Sequence, residues 1–147
     1  MTRLFFCALM PVLLLAQPAN ARLLASCTNI KGKVYALNDK PGWTNQRAPI
    51  KSIYFYKNGK KPLEIFFDDG YATRNLTELG ARISVPHAAR NQEWFLATAT
   101  YKQMQLDNFQ LIFDEKGKGR LVWTRMRMHM PPLDRSDTAM FIGQCMR

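Results

Sequence analysis

The run Met126-Arg127-Met128-His129-Met130 is the densest concentration of chemistry-bearing side chains in this 147-residue chain. Thioether sulfurs are soft donors that suit Cu(I), above all where thiols are oxidised. In an extended strand, successive side chains alternate between the two faces. Met126, Met128 and Met130 then share one face. Together with His129, which joins them only across a bulge, they form a candidate Cu(I) site. The plainer alternative is that the methionines fill an irregular core, as their flexible side chains do well.

The other face of the same strand carries Trp123, Arg125, Arg127 and His129. Lys116, Lys118 and Arg120 lie in the adjacent turn. An arginine beside an aromatic ring can hold a carboxylate or phosphate bidentately, so Trp123, Arg125 and Arg127 read as a binding face for an acidic partner. Lys57, Lys60 and Lys61 crowd a second turn, where charge also protects sheet edges from pairing. Trp43 and Arg47 stand in a turn-rich stretch, 38–50, that reads as a long loop. Long loops in compact domains often carry function, and Trp43 alternatively folds back to cap the barrel end.

Signals for catalysis are poor, and no catalytic residue or enzyme activity is expected. His87 and His129 are the two histidines, and neither sits in a nucleophile or zinc pattern. Asp68 and Asp69 are adjacent, so a strand would point them to opposite faces, which does not suit paired acid and base work. Gly117-Lys118-Gly119 reads as a hairpin turn, because no helix follows to make it a phosphate loop. Asn75-Leu76-Thr77 is a glycosylation sequon, relevant only in a eukaryotic secretory host.

The elements that must position these residues are short β runs separated by turn chemistry. They are Ile30–Leu37, Lys51–Tyr56, Pro62–Asp68, a short piece at Arg82–Val85, Glu93–Lys102, Asn108–Asp114, Leu121–Met130 and Thr138–Cys145. Asn58-Gly59 between two aromatic, β-branched runs is a strong hairpin signal. Pro86–Asn91 reads as a loop or a single helical turn. About eight strands with few helical stretches predict an all-β fold, a small antiparallel barrel or sandwich. Phe109, Leu111, Phe113, Leu121 and Trp123 alternate as a core face should. Continued, that face becomes Arg125, Arg127 and His129, so the apolar side is expected to switch near Thr124 through a bulge.

Residues 1–21 read as a cleavable signal peptide: Arg3, an apolar run from Leu4 to Ala16, then Pro18 and Ala19-Asn20-Ala21. The apolar run is too short and too broken by Pro11 to be a permanent anchor, so residues 22–147 are expected as one domain without stable membrane insertion. Leu24-Ala25-Ser26-Cys27 is similar to a lipobox, but Arg22 separates it from the apolar run. Cys7 leaves with the leader. The remaining pair, Cys27 and Cys145, is expected to form a disulfide closing the domain in an oxidising compartment. Loss of Arg3 takes the 21 basic side chains to 20 against 11 acidic ones, a net charge of +9. Outside the cytoplasm that charge points to an acidic protein or an anionic cell-envelope component, not to nucleic acid. A signal peptide, one disulfide and short strands make a build similar to that of small exported β-barrel proteins, periplasmic lysozyme inhibitors among them. That likeness of build implies a periplasmic or secreted binding or inhibitory module without a cofactor. The alternative is a Cu(I) carrier built on Met126, Met128, His129 and Met130.

Overall fold

The computed structural model describes residues 21–36, 42–59, 62–88, 93–102, 105–128 and 136–147. Ten strands and no helix occur among them. They are β1 (Ala21–Ala36), β2 (Gly42–Arg47), β3 (Ser52–Asn58), β4 (Leu63–Asp68), β5 (Thr73–Asn75), β6 (Ala81–Ala88), β7 (Trp94–Tyr101), β8 (Gln105–Phe113), β9 (Lys118–Arg127) and β10 (Asp137–Met146). The expected leader lies outside the described residues except for Ala21, which begins β1.

All ladders are antiparallel, and the strands form one curled sheet in the order β5-β4-β3-β1-β10-β9-β8-β7-β6. From β3 to β5 and from β6 to β10 sequence neighbours are therefore spatial neighbours, and the pairing of the first strand with the last joins the two arms of the meander. The result is a half-barrel, with β5 and β6 at the two ends of the ladder. Its inner face holds one core that includes Phe55, Ile65, Phe109, Leu111, Leu121, Trp123 and Phe141. Trp123 lies at the centre of this aromatic core, 4.6 Å from Phe141, 5.2 Å from Phe67 and 5.9 Å from Phe109 between ring centroids.

β1 differs most from the sequence reading. It starts nine residues before Ile30 because one long strand serves two neighbours on the same edge. Its first half pairs with β3 and its second half with β2, while β10 runs along the other edge. The halves meet at an irregularity between Thr28 and Lys31, where Asn29 adopts a left-handed φ of 54°. Asparagine tolerates that region better than most residues, and its side-chain amide donates to Gln144 Oε1 at 3.1 Å.

Two more strands raise the count from the expected eight to ten. β2 lies inside the stretch 38–50 read as a loop. Its sequence, GWTNQR, has no apolar alternation, and pairing with β1 is what makes it a strand. β5 is three residues long. β6 continues through Pro86 to Ala88, where a loop or helical turn was expected. The register shift between Ser84 and His87 and the position of β6 at the sheet's edge are what let a proline stay in a strand.

The expected disulfide forms between Cys27 and Cys145, which face one another across the β1–β10 ladder. A sulfur bonded in this way is not the acyl-bearing terminus that the lipobox alternative requires. A disulfide points to an oxidising compartment. Among the described residues no helix is long and apolar enough to cross a membrane. The bond closes a separation of 118 residues, so the chain-entropy model gives a loss of about 4–5 kcal/mol when it is opened. Urea unfolding with and without reductant checks this: the midpoint should fall sharply on reduction, and the Cys27→Ala/Cys145→Ala chain should match the reduced protein.

Candidate functional site

The register across β8, β9, β10, β1 and β2 sorts the inward-facing side chains into rows. The first row, Ala97, Phe109, Trp123, Phe141, Gly32 and Gln46, is mostly apolar. Gly32 is required there, since a Cβ would overlap the Met140 carbonyl oxygen and the Phe141 ring. The second row is Ile83, Ala99, Asp107, Arg125, Ala139, Val34 and Thr44. The third is Ala81, Tyr101, Gln105, Arg127, Asp137, Ala36 and Gly42. Polarity therefore rises row by row toward one end of the half-barrel. The alanines flanking Asp107 and Arg125 leave room for these charged side chains inside.

This arrangement corrects the expected face switch. β9 pairs with β8 and β10 without a register shift, so there is no bulge at Thr124. Arg125 stays on the core face and is buried, only 6% exposed, while Met126 and Met128 project outward and are about half exposed. Met126 and Met128 do not fill the core. Trp123 is fully buried and offers no surface for a partner. Its two expected companions, Arg125 and Arg127, do come together, but inside the end of the half-barrel. His129 and Met130 lie outside the described residues, as do Lys60 and Lys61.

A chain of hydrogen bonds links the rows. Trp123 Nε1–H donates to Asp107 Oδ1 at 2.8 Å, and Gln105 Nε2–H donates to Asp107 Oδ2 at 2.7 Å. Arg127 Nε–H donates to Gln105 Oε1 at 3.0 Å. Both guanidiniums then reach Asp137, Arg125 at 3.4 Å and Arg127 at 3.8 Å. Arg125 also lies 5.8 Å from the centroid of the Phe141 ring, within cation–π range. Two guanidiniums thus share one carboxylate at long distances, while both oxygens of Asp107 accept from uncharged donors. Arg125 Nε is buried and has no hydrogen-bond acceptor among the described residues. A buried donor without an acceptor costs free energy, on the order of 1–3 kcal/mol or more for a charged group.

Beside this cluster lies a pocket of about 450 Å³ between the inner faces of β2, β1 and β9. Arg125, Arg127, Asp137, Thr44 and Gln46 line it on the polar side, and Val34, Ala36 and Pro49 on the apolar side. Burial raises the Asp107 carboxyl above the usual range, against the donors from Gln105 and Trp123 and the charges of Arg125 and Arg127. Burial also pulls Arg125 down, helped by the charge of Arg127, and raises the Tyr101 phenol, helped by Asp107.

Trp43 stands apart from this site. It is 57% exposed on the outer face of β2, packs against Tyr35 at 5.3 Å and does not cap the barrel end. Asp107, Gln105, Asp137 and Tyr101 were missed from the sequence. The signal for Asp107 was present: it occupies the core phase of Asp107, Phe109, Leu111 and Phe113, where a carboxylate is out of place. The chain matches no family model, no curated protein and no solved structure with which it was compared.

The raised carboxyl makes a prediction about pH. Because the folded pKa of Asp107 lies above the ordinary carboxyl value of 3.8, its contribution to stability is full below that value and is lost as pH rises through the folded one. Asp107→Asn removes this loss and keeps an oxygen to accept from Trp123. The melting temperature of the variant minus that of the parent should therefore become more positive from pH 4 to pH 7. A flat difference across that range would mean that folding leaves the carboxyl unshifted.

Proposed function

We propose that this chain is a non-enzymatic binding module of the bacterial periplasm or cell exterior. It takes a carboxylate or phosphate group of an acidic protein or an anionic envelope component between Arg125 and Arg127. The observation that carries this reading is the buried Arg125 Nε, without an acceptor among the described residues, beside a pocket that also presents Arg127. Guanidiniums hold planar anions through paired N–H donors, and one shared carboxylate leaves several of their ten donors for a ligand. Thr44 and Gln46 add neutral donors. The Val34 and Ala36 side lowers the local dielectric, which strengthens such contacts. The oxidising compartment indicated by the disulfide and the expected leader support the location.

The test uses thermal shift with acetate, succinate, glucuronate and inorganic phosphate as probes at fixed ionic strength. At least one anion should raise the melting temperature in a saturable way, and Arg127→Gln, at the more exposed arginine, should weaken that gain about tenfold or more, as loss of a charge-assisted bond does. No saturable shift with any probe, or an undiminished one in Arg127→Gln, would overturn the reading.

A second reading rests on the outward exposure of Met126 and Met128, which leaves both thioethers accessible as Cu(I) donors. Met140 lies diagonally across the β9–β10 ladder from Met126 on the same face. Titration with Cu(I) in competition with a chelator should then show binding that Met126→Leu/Met128→Leu abolishes. Unchanged affinity would end this alternative.

A further inference from the structure

The outward-facing side chains of the same ladders form rows of their own. One runs Trp43, Tyr35, Thr138, Met126, Leu106; the next Asn45, Lys33, Met140, Thr124, Asn108; the third Arg47, Lys31, Ile142, Val122, Gln110. No acidic residue occurs in these three rows. An open trough of about 820 Å³ crosses them where β2, β1 and β10 lie side by side. Met140 and Ile142 floor it, Trp43 walls it, and Lys31 and Lys33 project beside them. Met140 and Ile142 are each about half exposed, as are Met126 and Met128 beyond the trough.

Soluble monomers rarely leave so many large apolar side chains together on one face, and such faces mark interaction surfaces. The lysines narrow the choice of partner. A second copy of this chain would oppose Lys31, Lys33 and Arg47 to like charges, so self-association is disfavoured. A small polar ligand would leave the apolar floor beyond the trough without a role. A broad surface that offers negative charge at its plane and hydrocarbon just beneath satisfies both features. Indole rings suit that boundary, being apolar with one polar N–H. Lysine stems can lie along the apolar part while their ammonium groups reach the headgroups.

We propose that this outer face docks peripherally on an anionic lipid bilayer. Trp43, Met140 and Ile142 enter the interface, and Lys31, Lys33 and Arg47 contact the headgroups. The face is on the opposite side of the sheet from Arg125 and Arg127, so both sites can be occupied together.

The test is co-sedimentation of the purified protein with vesicles of phosphatidylglycerol and, separately, of phosphatidylcholine. The protein should pellet with the first and not the second, and salt should release it, since surface electrostatics is screened. Lys31→Glu/Lys33→Glu should weaken binding by about tenfold or more, given the attraction each basic residue adds near an anionic surface. Trp43→Ala should weaken it with the charge unchanged. Both sites are exposed on the sheet surface, and near-UV circular dichroism will show that the variants keep the fold. Arg127→Gln should bind vesicles like the parent, which separates this surface from the anion pocket. Three results would overturn the proposal: no sedimentation with phosphatidylglycerol, sedimentation insensitive to the Lys31/Lys33 reversal, or equal binding to soluble polyglutamate that ignores Trp43. The last would assign the face to an acidic protein.

Discussion

The pairing of β10 with both halves of β1 is the constraint on which the rest of the structure depends. It joins the two arms of the meander, so the chain becomes a half-barrel with an inside. It puts Cys145 opposite Cys27, where the disulfide forms. It also fixes the phase of β10, and through unbroken ladders the phases of β9 and β8. Because strand side chains alternate with a period of two, one register decides every inward and outward residue in these strands. The burial of Arg125 and the exposure of Met126 are two consequences of a single pairing.

The irregularity at Asn29 lets one β1 strand serve two sheets' worth of neighbours. With it, β2 is offset along β1 and overhangs the end of the half-barrel. Its Thr44 and Gln46 then line the inner pocket, while Trp43, Asn45 and Arg47 extend the outer face. A strand with no apolar alternation of its own thus contributes to both the inner pocket and the outer trough.

The fold class, the hairpins around Gly59 and Gly117 and the disulfide were legible in the sequence, because each has a local or arithmetic signature. Gly59 and Gly117 have the positive φ that such turns favour. β2 was not legible because it has no apolar alternation and only its pairing with β1 makes it a strand, and the first half of β1 was not because its partners, β3 and β10, are distant in sequence. The error over β9 is more instructive. An apolar face that ends in Arg125 and Arg127 was read as a face switch, on the rule that charges lie outside. The rule failed because Asp137 arrives from β10 to pair with those arginines and Asp107 sets a second carboxyl beside them from β8, and a single strand cannot announce its neighbours. The expectation that the face of Met126 and Met128 turns inward followed from the same mistake.

The cluster at the barrel end is hard to account for as a device for stability. Two arginines and two aspartates are taken largely out of water, and the desolvation of such groups often exceeds what their attraction returns. Well-packed apolar residues of similar size would fill these rows at least as well, as Ala97, Phe109, Trp123 and Phe141 do one row deeper. The bonds that form are long at Asp137, and one buried Arg125 donor has no acceptor among the described residues. A network optimised for the fold alone would satisfy its members. Sequences tend to break local rules where a site needs it and to compensate elsewhere. Here the compensation is visible in the aromatic core around Trp123 and in the terminal disulfide. Together these can carry a costly polar end, which the anion proposed above would complete.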